Sequence, residues 1–154
     1  MIAAMALFLA AGDAVDAMAP IGFLVGHCWR GAPKAGQTDT HCFRRLPDGS
    51  VRDHSELTDG GKPVASGDAI YRWDAAARVL RFTYRDSLGG SLSSTARRSG
   101  DTIDFGTADY HTKDGKSYAL AVRWTVLGAS AYQTELSSPL VPFMKRKTRY
   151  DRVS

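Results

Sequence analysis

Glycine and aspartate punctuate this chain at short intervals, and that spacing narrows the folds open to it more than any other feature. Pro47-Asp48-Gly49, Asp59-Gly60-Gly61, Gly89-Gly90, Ser99-Gly100-Asp101, Lys113-Asp114-Gly115-Lys116 and Leu127-Gly128 supply the positive φ or the side-chain-to-backbone bonds that tight hairpins need. The signals recur about every 8–14 residues, the rhythm of an all-β sandwich or barrel, and no stretch between them keeps a helical period. They delimit roughly ten candidate strands, over 25–31, 37–46, 50–58, 68–74, 79–86, 91–98, 102–110, 117–127, 131–137 and 145–153. So many hairpin-linked strands make too wide a sheet to stay open, because twist accumulates and unpaired edges invite aggregation. The expected fold is therefore all-β, a single antiparallel up-and-down β-barrel of about ten strands with a short N-terminal apolar or helical segment.

A chain of 154 residues fits one domain. The barrel is assigned to 23–154, and 1–22 to a possible signal peptide or short N-terminal helix. With 44% hydrophobic and 23% charged residues the composition is that of a folded globular protein rather than a disordered one. The net charge of +4 is spread among mixed signs, except for Lys145, Arg146, Lys147, Arg149 and Arg152 near the end. Only Tyr150 could stack a base there, so the run reads as the solvated outer face of a last strand, and no nucleic-acid partner is expected.

The stretch Ile2–Ala11 is apolar and uncharged, which suits the hydrophobic region of a secretory signal. No Lys or Arg precedes it, and the small-x-small site Ala17-Met18-Ala19 is followed by Pro20. The alternative is a short helix that lids the barrel. A bilayer span needs about twenty apolar residues, so no stable membrane insertion is expected. A periplasmic or secreted location follows from the first alternative and a cytoplasmic one from the second. The two cysteines, Cys28 and Cys42, would form a disulfide in an exported protein and remain buried thiols otherwise.

Alternation identifies the inward faces. Tyr118, Leu120, Val122, Trp124 and Val126 alternate with Ala119, Ala121, Arg123 and Thr125, a period of two with one side buried. A four-residue loop, Ala75–Arg78, puts Tyr71 and Trp73 on the same face as Leu80, Phe82 and Tyr84, and turns Arg72, Arg81 and Arg85 to water.

The segment Phe23-Leu24-Val25-Gly26-His27-Cys28-Trp29-Arg30-Gly31 resembles the first strand of bacterial lipocalin-like and fatty-acid-binding-protein-like (calycin) barrels, where an apolar lead-in ends in Gly followed closely by Trp. Thr148-Arg149-Tyr150-Asp151-Arg152-Val153 is similar to their closing strand, and Ile70-Tyr71-Arg72-Trp73-Asp74 to an aromatic strand within them. Two residues, rather than one, separate Gly26 from Trp29, which favours a ten-stranded relative. The resemblance implies a barrel with an internal cavity, an inward Trp29 plugging one end, and Arg152, or failing it Arg149, crossing that indole. It implies no activity, since one fold hosts many functions.

With Trp29 inward, His27 is inward as well and Cys28 outward. Placing Cys28 opposite Cys42 pairs 29 with 41 and 27 with 43, because antiparallel partners sum to a constant, so His41 and Phe43 face the lumen. The two imidazoles admit three readings: a metal or haem ligand, a general base, or a hydrogen-bonded pair. Zinc would want at least three protein ligands, and no Cys/His cluster is present. Only His111, in a loop, lies late in the chain, where haem-binding barrels of this fold keep their histidine. Asp53, His54 and Glu56 fall on opposite faces of a strand and read as a solvated hairpin, and Glu135 enters the lumen if the Gly128 hairpin has an even loop. No nucleophile elbow and no phosphate loop occurs.

These readings converge on a non-enzymatic barrel that binds a small apolar or amphipathic molecule and needs no cofactor. The expected pocket is His41, Tyr71, Trp73, Phe82, Tyr84 and Trp124, because a barrel this wide is not filled by its own side chains. The alternatives are a barrel enzyme with an inward histidine as base, a haem-binding barrel, or a scaffold with a filled lumen.

Overall fold

The computed structural model describes residues 16–153, and residues 1–15 of the segment assigned over 1–22 to a possible signal peptide or short helix lie outside them. Ten strands follow a 3-10 helix at Ala19–Leu24: β1 (Cys28–Gly31), β2 (Gln37–Arg45), β3 (Val51–Asp59), β4 (Lys62–Asp74), β5 (Val79–Asp86), β6 (Ser91–Ser99), β7 (Thr102–His111), β8 (Ser117–Val126), β9 (Ala131–Ser138) and β10 (Val141–Val153). All pairs are antiparallel, and the order runs β1-β10-β9-β8-β7-β6-β5-β4-β3-β2 in a closed barrel. Each strand hydrogen-bonds its sequence neighbours, and β1 joins β10 to β2, so no edge is left unpaired. Among the described residues no helix is long and apolar enough to cross a membrane.

The register at the seam is the one the cysteines require. Cys28 stands opposite Cys42 and Trp29 opposite His41, and a disulfide joins the two cysteines. The Ala75–Arg78 loop likewise sets Tyr71 against Phe82, Trp73 against Leu80 and Arg72 against Arg81.

Two strands begin earlier than the turn signals suggest. In β4 pairing starts at Lys62, directly after the Gly60-Gly61 turn, and an extra residue at Val64 forms a bulge against Leu57 and Thr58. Pro63 and the small residues after it look like a loop in sequence, yet Pro is tolerated beside a bulge at a strand end. In β10 a register shift between Val141 and Lys145 lets the strand continue past an irregular stretch. His27 departs from its expected inward position: β1, expected from residue 25, starts at Cys28, and the His27 ring is exposed, edge-on to Trp29 at 6.4 Å.

One end of the barrel is sealed by the 3-10 helix, whose Ile21 and Leu24 are fully buried with Met18 just before them. Trp29, also fully buried, donates its indole N–H to the Leu24 carbonyl at 3.2 Å and meets Phe23 and Tyr132 edge-on. Arg152 is opposite Trp29 in the register, but its side chain is exposed. The guanidinium held over a ring at this end belongs instead to Arg98, 5.6 Å from the Phe23 centroid, and it also donates to the Pro20 carbonyl at 3.1 Å. Arg98 comes from β6, across the sealed end, where it can reach a ring that the helix holds over the barrel.

Two outcomes follow from this closure. Trp29→Ala should cost about 3–5 kcal/mol in chemical denaturation, because it empties a fully enclosed site and leaves the Leu24 carbonyl only the His27 backbone N–H. Reducing the Cys28–Cys42 bridge, which closes a loop with a sequence separation of 14, should lower the unfolding free energy by about 3 kcal/mol. Intact mass before and after reduction confirms the bond.

Candidate functional site

Above the sealed end lies a cavity of about 440 Å³ that opens at the opposite rim of the barrel. Its floor is a layer of rings in mutual contact. Tyr71 stacks on Phe82 at 5.6 Å, Phe82 meets Phe105 at 5.2 Å, Phe105 lies 4.6 Å from Trp124, and Trp124 lies 5.4 Å from Tyr132. Each such pair contributes about 0.5–1.5 kcal/mol beyond area burial. Leu92, Leu120 and Val122 form an aliphatic wall.

Of the residues expected to line the pocket, His41, Tyr71, Phe82, Tyr84 and Trp124 do so. Trp73 keeps the inward parity of β4 but lies beyond the floor, in a separate recess with Pro20, Arg78 and Arg98. Alternation gives the side of the sheet; it does not give the height along the barrel axis. Glu135 points outward, where Lys145 and Lys147 hold its carboxylate at 3.1 and 3.2 Å.

One residue set aside as solvated belongs to the cavity. Asp53 is 4% exposed and pairs with Phe43 in the register, so the inward parity of β2 carries across the Pro47–Gly49 hairpin to β3. Following that parity from His41 would have found it. His54 and Glu56 do face outward, and His54 bonds Asp68. Asp39, Phe105 and Tyr132 also line the cavity without having been singled out, and so do Arg146 and Tyr150, from the strand whose basic run reads in sequence as a solvated outer face.

The polar part of the lumen is organised around His41. Its Nδ1–H donates to Asp53 Oδ2 at 2.7 Å and its Nε2–H to Asp39 Oδ2 at 3.2 Å, while the Tyr150 hydroxyl donates to the same Asp39 oxygen at 2.7 Å. Burial works to lower the imidazole pKa, but the Asp53 charge and the bonds to both carboxylates override it and push the value up to about 10. Burial likewise works to raise Asp39, and the bonds from His41 and Tyr150 hold it below the ordinary value. At neutral pH His41 is an imidazolium with both N–H groups engaged. It has no lone pair to offer a metal and takes no proton from a substrate.

A second polar site lies at the mouth. Asp86 accepts the Tyr110 hydroxyl at 2.7 Å and the backbone N–H groups of Leu88 and Gly90 at 3.0 and 2.8 Å. The bond to Asp86, then burial, pushes the Tyr110 phenol up to about 12. Two glycines make room for these phenols: a Cβ on Gly67 would stand 2.5 Å from the Tyr84 hydroxyl, and one on Gly90 would collide with that of Tyr110.

No protein-family model matches the chain, and no curated protein matches it either. The cavity therefore has to be read from its own chemistry.

The His41 cluster gives stability a definite pH dependence. A raised folded-state pKa stabilises fully below the unfolded value of about 6.5, and the contribution fades as pH rises from there through about 10. Denaturation midpoints should fall over that interval, and less steeply in His41→Gln. In NMR the His41 ring resonances of the intact protein should stay fixed at neutral pH and move only near the upper end of the interval.

Proposed function

We propose that this protein is a binding barrel that takes a small, largely apolar or amphipathic molecule into its lumen without transforming it. The observation that carries the reading is the one-mouthed cavity, whose aromatic floor and aliphatic wall remove apolar area from water while a few polar groups orient the guest. The state of His41 supports it further, since an imidazolium clamped between two carboxylates is arranged to hold charge rather than to exchange protons. The up-and-down barrel is the architecture that resemblance to lipocalin-like and fatty-acid-binding barrels implies, and membership of that group is part of the proposal. So is a periplasmic or secreted location, for which the disulfide argues, because such bonds persist in oxidising compartments.

Intrinsic fluorescence tests the reading. An apolar probe should change the emission of Trp124 on binding, and Trp124→Ala should weaken it by about 1–3 kcal/mol. Trp73→Ala, in its separate recess, should bind as wild type does. Leu120→Trp, which fills the lumen instead of emptying it, should abolish binding while the protein stays folded. Equal affinity in all three variants would place the probe outside the lumen.

A further inference from the structure

Two phenols in the lumen have no acceptor to donate to. Tyr71 lines the cavity at 3% exposure, and the half-buried Tyr84 lines it nearer the mouth. Neither hydroxyl bonds a protein group among the described residues, whereas those of Tyr110 and Tyr150 donate to Asp86 and Asp39. Neither is closed off, since the enclosed side-chain atom without a partner among the described residues is Asp53 Oδ1. Burial, and after it the charge of Asp53 on Tyr71 and of Asp86 on Tyr84, pushes both phenols up, so each keeps its proton at neutral pH. A hydroxyl that gives up water to a guest and finds no acceptor is costly. The demand of this wall is therefore for an acceptor.

The register brings the two hydroxyls to one place. Tyr71 stands opposite Phe82 and Ala69 opposite Tyr84, so the phenols are diagonal neighbours on the same wall. Small residues leave space around them, Ala69 two positions from Tyr71 and Gly67 against the Tyr84 hydroxyl.

The remaining polar lining disfavours a charged guest. Asp39 takes donors from His41 and Tyr150, Asp53 from His41, and Asp86 from Tyr110 and two backbone amides. Arg146 lines the same lumen and acts on both Asp39 and Tyr150. A cation would meet His41 and Arg146, an anion would meet the three carboxylates, and either would shed its hydration. A neutral oxygen avoids both costs.

We propose that the lumen selects a neutral carbonyl compound with an apolar ring body, its oxygen accepting from the Tyr71 and Tyr84 hydroxyls and its ring lying on the floor of Phe82, Phe105 and Trp124. A carbonyl oxygen carries two lone pairs and no proton, which matches two donors that lack an acceptor. This specificity rests on the lumen-binding reading and narrows it.

Calorimetric titration at neutral pH with α-tetralone, tetralin, aminotetralin and tetralin carboxylate tests the proposal in wild-type protein, Tyr71→Phe and Tyr84→Phe. Each substitution removes a hydroxyl, keeps the ring and breaks no hydrogen bond among the described residues; the wild-type ranking decides even without the variants. Tetralone should bind wild type about tenfold or more tighter than the amine or the carboxylate, which bring a charge into the site. Each variant should weaken tetralone about fivefold, the usual size of one neutral hydrogen bond, and leave tetralin unchanged. Amine or carboxylate binding as tightly as tetralone would overturn the preference for a neutral guest and leave the lumen reading standing. Unchanged tetralone affinity in both variants, or an equal loss for tetralin, would overturn donation by the phenols, and a loss in one variant alone would overturn the paired donation. Binding of none of the four would overturn the carbonyl proposal and the lumen reading together.

Discussion

The barrel is closed by a strand of only four residues. Cys28–Gly31 pairs on one side with Asp39–Cys42 and on the other with Tyr150–Val153, and without it the remaining strands would form an open sheet with two bare edges. So short a strand cannot hold by its own ladder, and each of its flanks is reinforced. Outward, Cys28 is bonded to Cys42; inward, Trp29 is locked under the 3-10 helix by its bond to Leu24; and Arg98 ties that helix to the far wall. The lumen depends on this seam, because Asp39 and His41 sit on one of its neighbours and Tyr150 on the other.

Inside, two opposed demands share one space. The aromatic floor is stabilised by excluding water, whereas the Asp39, Asp53 and His41 cluster loses hydration by being there. The conflict is eased by arranging the charges as an alternating row, carboxylate, imidazolium, carboxylate, with Tyr150 donating at one end. Buried ion pairs of this kind add little stability over apolar replacements, but removing one member exposes the others to the full penalty. The cluster is thus better understood as fixing a chemical environment than as supporting the fold.

Much of the architecture was legible because β-structure writes itself in short-range signals. Turn glycines and period-two alternation delivered the strand count and the facing of Tyr71, Phe82 and Trp124, and setting Cys28 opposite Cys42 delivered the register of the first two strands. What was hidden were quantities that no single strand encodes. Trp73 has the right parity but the wrong height, since depth is set by the stagger of all ten strands. Asp53 was hidden by the ordinary rule that a charged residue near a hairpin is solvated, a rule that fails when a charged partner from the next strand waits inside. Arg152 was placed by analogy, and the reach of Arg98 from the opposite wall could not be seen without three-dimensional closure.

The bulge in β7 shows how facing can change within a strand. Ile103 pairs with Trp124 and Tyr110 with Tyr118, sums that differ by one, with the slip falling between Asp104 and Thr107, where Gly106 takes a φ of +63°. Before the slip odd residues look inward, including Phe105; after it even residues do, including Tyr110 at the mouth. The strand is thus read in two frames joined at one glycine, and its length between floor and mouth is not free to drift. Flattening the bulge with every residue kept would impose a single frame and turn the upper half inside out, sending Tyr110 to solvent and Asp109 into the lumen. The hairpin at Asp114-Gly115 beyond it carries no such constraint, so changes in length can accumulate at the rim while this short stretch of wall stays fixed.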